Sequence, residues 1–207
     1  MSRSPYYNTK GKHKTRLPPD NAKTKACQLW ENIKNRCEYL PKMDEERFGK
    51  YSGADACDDW KNFQNFAQWF EDVQSSGYYE KGWQLDKDLL VKGNKIYAPE
   101  FCVFLPEEVN KALNTKSRSR GELPIGMSYA TRGGTNKSHI NVQFICKYPE
   151  FAARAYLPSS EDNIKLGFIF YKAAREKYIH FLAEKYRDQV DPRAYEALKT
   201  YEVLFDD

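Results

Sequence analysis

Histidine is scarce in this chain: its 207 residues hold only three, His13, His139 and His180. Histidine is the side chain whose ordinary pKa suits proton transfer at neutral pH. A His-based active site therefore has few places to form. Cysteine offers no frame either. The five thiols, Cys27, Cys37, Cys57, Cys102 and Cys146, are odd in number and widely spaced, and they form no CxxC pair. No structural zinc is expected, and no disulfide scaffold. Reduced thiols in a cytoplasmic protein are the expectation. Long apolar runs are missing as well. No stretch reaches the length of a transmembrane helix, and no signal-peptide core is present, so no membrane partner is expected. Repeats and coiled-coil heptads are absent too. Nothing in the pattern points to a structural protein, and it leaves the oligomeric state open.

What is present is aromatic mass and uneven charge. Fifteen tyrosines, twelve phenylalanines and four tryptophans sit in a chain that is 30% charged. That is enough apolar material for one core of real size, or two small ones. Net charge is only +4. Residues 1–25 nevertheless carry Arg3, Lys10, Lys12, Lys14, Arg16, Lys23 and Lys25 against the single acid Asp20. Residues 1–24 read as a basic flexible arm, with Tyr6 and Tyr7 as a small anchor. Lys10, Lys12, Lys14 and Arg16 are candidate phosphate contacts. A solubilising tail is the plainer alternative.

From Lys25 to about Cys37 the spacing of Leu29, Trp30, Ile33 and Cys37 predicts a helix. Residues 40–56 read as a loop, punctuated by Pro41, Gly49 and Gly53. Asp58 or Asp59 is placed to cap a helix from Trp60 to about Gln74. Its stripe, Trp60, Phe63, Phe66, Ala67, Phe70 and Val73, predicts core packing, and Ser75-Ser76-Gly77 ends it.

The stretch Gly82–Asn110 organises the middle of the chain. Leu85-Asp86-Lys87-Asp88 leads into a turn at Val91–Asn94, and Lys95-Ile96-Tyr97 and Phe101–Leu105 are short apolar runs. Pro106-Glu107-Glu108 opens a helix, because proline suits the first turn and acids suit the N-terminal dipole. Such a unit can gather Asp86, Asp88 and Asn110, whose oxygens suit Mg²⁺ or Mn²⁺. Lys87 qualifies as a base only if strongly desolvated. In the structural alternative, Asp86 and Asp88 cap turns or pair with nearby lysines.

Residues 115–121 form a basic linker carrying Arg118 and Arg120. Beyond it the period becomes two. Strands are predicted at Pro124–Thr131, Ser138–Lys147 and Ala152–Leu157, with a hairpin loop at 132–137. In the second strand Ile140, Val142, Phe144 and Cys146 face one way, and His139, Asn141, Gln143 and Ile145 the other. Ser159-x-x-Asp162 resembles a capping box. A long helix follows to about Gln189, with a buried stripe of Ile164, Phe168, Tyr171, Ala174, Tyr178 and Leu182. A short helix is placed at Arg193–Val203. Three strands on one helix leave one sheet face open. Arg132, Lys137, His139, Asn141, Gln143 and Arg154 lie on or beside that face. Arg, Asn and Gln are the side chains that read base edges in the major groove. An ordinary polar sheet surface is the alternative.

Trp60–Phe70 (WKNFQNFAQWF), Leu85–Asp88, Gly93–Tyr97, Cys102–Pro106 and Val109-Asn110 together resemble tailed-phage proteins of the HNH homing-endonuclease group. The C-terminal third resembles the APETALA-type DNA-binding domain fused to many of them. This likeness spans roughly residues 25–203. It implies an α+β chain: a helical N-terminal region leading into a ββα-metal (HNH-like) unit over 25–114, the linker 115–121, then a three-stranded antiparallel sheet packed on one long helix over 122–207. It implies double-stranded DNA as partner, a divalent metal as cofactor and the infected bacterial cytoplasm as location. By the same likeness Asp86 falls near the general-base or metal position, Lys87 and Asp88 follow in the turn, and Asn110 falls where a helix often supplies a metal ligand. Gln84-Leu85-Asp86-Lys87 stands where the family has its histidine. Two functions therefore stay open. One is a metal-dependent DNA endonuclease or nickase. The other is a non-catalytic relative that binds DNA or inhibits a host protein.

Overall fold

The computed structural model describes residues 5–43, 45–114, 122–130 and 137–205. The chain is mixed α+β and divides into two compact units: Met1–Pro106 with Asp188–Ala194, and Glu107–Arg187 with Tyr195–Asp207. The division falls between Pro106 and Glu107, ahead of the expected linker at 115–121, which lies outside the described residues. None of the helices among the described residues is long and apolar enough to cross a membrane.

In the first unit, β1 (Arg16–Leu17) and β2 (Ala22–Lys23) form a small antiparallel ladder. The expected flexible arm is therefore corrected over its described part. Tyr6 is buried against Trp30, edge to face. The Tyr7 N–H donates to the Lys61 carbonyl, and the Tyr7 carbonyl accepts from the Phe63 N–H. Lys12 reaches Gln68 and Glu71, and the His13 N–H donates to the Gln64 side chain. A segment held by buried tyrosine and backbone hydrogen bonds is not a free tail, whatever its charge.

Thr24 caps α1 (Lys25–Lys34) by accepting from the Cys27 N–H. Helical backbone then continues through a π turn at Asn35–Tyr39 into α2 (Leu40–Met43) and α3 (Glu45–Phe48). The loop expected at 40–56 is thus helical over most of its first half. Pro41 has no N–H to give, and the widened turn just before it accommodates that missing bond. The aromatic helix is also broken in two, as α4 (Asp58–Lys61) and α5 (Phe63–Ser75). Asn62 at the break is extended, with φ −86° and ψ 114°, and its side chain accepts from the Gln64 N–H. Asn62, not Asp58 or Asp59, is thus the cap of the aromatic helix. An asparagine side chain competes well with helical backbone, and Tyr7 occupies the backbone groups freed there. Gly77, at φ +79°, follows the end of α5.

Phe63 and Phe66 of α5 are fully buried. The Trp30 indole N–H donates to the Trp60 carbonyl at 2.7 Å. Trp69, Phe70 and Tyr79 all contact the ring of Phe104. Burying each such side chain contributes about 1.5–3 kcal/mol, so this aromatic cluster is the first unit's core. Around it β3 (Asp55–Ala56) pairs parallel with β5 (Ile96–Tyr97), and β4 (Gln84–Asp86) pairs antiparallel with β6 (Val103–Leu105). Asp86 stands opposite Val103.

The second unit opens with α6 (Glu107–Leu113), with Glu107 and Glu108 in its first turn as expected. Strands β7 (Met127–Tyr129), β8 (His139–Phe144) and β9 (Ala153–Pro158) form an antiparallel sheet in that order. The predicted alternation of β8 holds: Ile140, Val142 and Phe144 are buried, while Asn141 and Gln143 are exposed. The buried side rests on α7 (Glu161–Lys185), capped by Ser160. Gly167 of α7 is at closest approach, since a Cβ there would meet Val142 Cγ2 at 2.8 Å. Gly126 has φ +79°, and a side chain there would collide with the Tyr171 ring. The last helix, α8 (Pro192–Lys199), follows Asp191.

The buried face of α7 matches the predicted stripe at Tyr171, Tyr178 and Leu182 and departs from it elsewhere. Gly167, Tyr171, Arg175, Tyr178, Ile179, Leu182 and Ala183 are buried, and Ile164 and Phe168 only partly so. Arg175 is 1% exposed and donates to the carbonyls of Ala112 and Leu113. It thereby satisfies the carbonyl end of α6, where a cation is favoured.

Candidate nucleic-acid interface and acidic loop

Two places collect the polar residues singled out above. The first is the loop that leaves β4. Asp86 is its hinge, and its Oδ1 accepts from the N–H groups of Asp88 at 2.9 Å and Leu89 at 2.7 Å. This is an aspartate turn at a strand end, a local bonding pattern that Asp favours. Lys87 is 8% exposed; it donates to the Asp88 carboxylate at 2.6 Å and to the Asn94 carbonyl. Asn94 returns the bond to the Lys87 carbonyl and spans to both backbone groups of Ile96. Gly93 permits the turn with φ +75°. Asp86, Lys87 and Asp88 thus close a hydrogen-bonded loop between β4 and β5.

Partial burial pushes the Asp86 carboxyl above the ordinary carboxylate range, against the two N–H bonds that favour its charged form. Asp88 is exposed, and its carboxylate is occupied by Lys87. Asn110 lies on α6, in the other compact unit, and its carbonyl accepts from Asn114. Among the described residues, no group of three or more His, Cys, Asp or Glu side chains converges as metal ligands do. A hard cation wants several free oxygens. Here one Asp86 oxygen already holds two amide groups and one Asp88 oxygen an ammonium ion, so both carboxylates are engaged in closing the loop.

The second place is the open face of the sheet. Register sets Asn141 of β8 between Ser128 of β7 and Tyr156 of β9, and Gln143 opposite Arg154. Ser128, Asn141, Gln143, Arg154 and Tyr156 line a shallow open depression. The His139 ring stacks on Tyr156 with centroids 4.8 Å apart and planes 7° from parallel. His139 Nδ1 lies 3.0 Å from Ser138 Oγ. Tyr156 stays 62% exposed, which is unusual for so large a ring and leaves one flat surface free for contact. Lys137 lies beside this face, 3.3 Å from the Glu122 carboxylate and 4.9 Å from the centre of the Tyr129 ring.

The structure therefore brings His139, Asn141, Gln143 and Arg154 onto one surface. It adds Ser128 and Tyr156, which the sequence reading did not name. The alternation of β9 held the signal, because Tyr156 is two residues from Arg154 and must share its side of the sheet. Lys10, Lys12, Lys14 and Arg16 are exposed in the first unit; Lys12 is paired with Glu71, and Arg16 donates to the Asn21 carbonyl. Arg118, Arg120 and Arg132 lie outside the described residues. No protein-family model, curated protein or solved structure matches the chain.

Proposed function

We propose that this chain is a double-stranded-DNA-binding protein of the phage HNH-related type, acting in the cytoplasm of an infected bacterium. The open sheet face would lie in the major groove. The observation that carries this reading is the uncovered row of His139, Asn141, Gln143, Arg154 and Tyr156 on a sheet whose other side is filled. Apart from the Tyr156 ring this row is polar, and it gains little by packing inward. Its amide and guanidinium groups match the donor and acceptor edges of adenine and guanine, and a β-ribbon fits the groove. Lys10, Lys14 and Lys137 add charge suited to phosphate.

A second reading keeps chemistry in the acidic loop: a Mg²⁺- or Mn²⁺-dependent endonuclease or nickase using Asp86, Lys87 and Asp88. Asp86 favours it, because its raised pKa moves in the direction a general base requires. To ligate a metal, Asp86 and Asp88 must first exchange their present donors.

One experiment addresses both readings. Supercoiled plasmid is incubated with the protein and Mg²⁺, Mn²⁺ or EDTA, beside a gel shift on the same DNA. A salt-sensitive shift with intact plasmid supports the binding reading, as does a loss of about 1–3 kcal/mol for Arg154→Ala. Metal-dependent nicking that disappears in Asp86→Ala supports the enzymatic one. Neither shift nor nicking rejects both.

A further inference from the structure

The helix α7 is apolar on two sides, and only one of them is used. Its buried face rests on the sheet. On the opposite face, spaced at helical intervals, stand Asp162, Leu166, Ile169, Phe170, Ala173 and Lys177, and all six are exposed. Leu166 is 55%, Ile169 61% and Phe170 43% exposed. Single exposed apolar residues are ordinary, but three neighbours in one stripe mark a contact surface. A helix that is apolar all round is normally covered all round.

The order of residues along this stripe identifies the occupant. We infer that it is a second copy of this chain, with the two α7 helices antiparallel about a two-fold axis between Ile169 and Phe170. In that register Ile169 faces Phe170 of the other copy and Leu166 faces Ala173, large against small. Asp162 faces Lys177 at both ends. A closed two-fold contact must be complementary to itself. This stripe is so: acid at the N-terminal end of the seam, base at the C-terminal end, and apolar groups between. Lys177 is exposed, with its ammonium 5.7 Å from the centre of the Phe151 ring. Reversing the partner to a parallel arrangement sets Asp162 against Asp162 and Lys177 against Lys177, which disfavours it.

The seam spans about 24 Å of helix, shorter than most stable interfaces need. Dissociation in the micromolar range is therefore expected. Sedimentation equilibrium of the full chain over about 1–100 µM tests this directly. A reversible monomer–dimer equilibrium is the expected result. Ile169→Asp should weaken it at least ~10-fold, by setting an unpaired carboxylate against Phe170 of the other copy on each side of the axis. Asp162→Lys and Lys177→Asp, each alone, should weaken it several-fold, and the double variant should restore it. All three positions are exposed, so circular dichroism should be unchanged and folding is not in question. A protein that stays monomeric throughout overturns the proposal. So does a dimer indifferent to Ile169→Asp, or a double charge reversal that fails to recover what the single ones lose.

Discussion

Asp86 holds the end of β4 with one oxygen shared between two amide N–H groups. Its raised pKa means that the charged form is the less comfortable one in the fold. A group whose folded pKa lies above its unfolded value stabilises the fold at low pH and loses that contribution as pH rises through the folded pKa. The sign makes a prediction. Asp86→Asn keeps an oxygen acceptor and sheds the charge, so stability at pH 7 should hold or rise slightly. Asp86→Ala leaves two N–H groups without partners and should cost about 1–3 kcal/mol. Urea melts of the two variants separate these outcomes, and an equal loss in both would contradict the turn-capping role. Residues 85–88 were legible in the sequence as an important cluster. Which job they do was not, because a carboxylate that caps a turn and one that binds a metal are the same residue type. Only the partners distinguish them, and Lys87 and Asn94 show their partnership only once the loop has closed.

At the scale of elements, α7 shows what residue patterns convey and what they miss. Its existence, cap region and length were readable, as was the alternation of β8 beneath it. The buried stripe was read in part: Tyr171, Tyr178 and Leu182 are buried as expected, but Gly167 and Arg175 are also members, and an apolar count selects neither. A helix with apolar residues on both sides gives no single face to choose. The break at Asn62 was missed for a related reason: the aromatic spacing runs across it, and the strand-like Tyr7 that fills it lies far away in sequence. Gly167 can be tested. Gly167→Ala gains about 1 kcal/mol of helix propensity. The new Cβ would, however, meet stiff Val142 at 2.8 Å and flexible Met127 at 2.9 Å. Overpacking of this kind costs about 1–3 kcal/mol, so a net loss of stability is expected; a gain would mean the helix shifts freely over the sheet. The contact of α6 with α7 should respond to acid. Burial pushes Glu108 up, but hydrogen bonds from Lys185, Tyr186 and Tyr178 prevail and hold it below its ordinary 4.5. That stabilisation is present above pH 4.5 and lost as pH falls through the lowered value. Glu108→Gln should therefore lose stability at pH 7 yet differ little from the parent near pH 3, by thermal melts across that range.

For the whole molecule, net charge is a modest +4, with the basic excess gathered in residues 1–25. Affinity for DNA cannot then come from bulk attraction alone, and the proposed interface divides the work between two kinds of side chain. Lysines facing phosphate act through counterion release, and each adds about −0.9 to the slope of log affinity against log salt. Amides and guanidinium groups facing base edges add preference for sequence and little slope, apart from any charge they carry. Lys10→Ala and Lys14→Ala should each flatten the slope by about one unit and weaken all sequences alike. Gln143→Ala is uncharged on both sides of the substitution, so it should leave the slope unchanged while narrowing the gap between preferred and random DNA. Fluorescence anisotropy at about 50–200 mM salt, on a selected site and a scrambled one, measures both quantities together. If Gln143→Ala leaves discrimination intact while the lysine variants behave as stated, the chain grips the phosphate backbone and the sheet face does not read bases. A flat salt dependence in the parent protein would remove DNA as the partner of this surface, and the exposed Tyr156 ring beside His139 would have to serve another ligand.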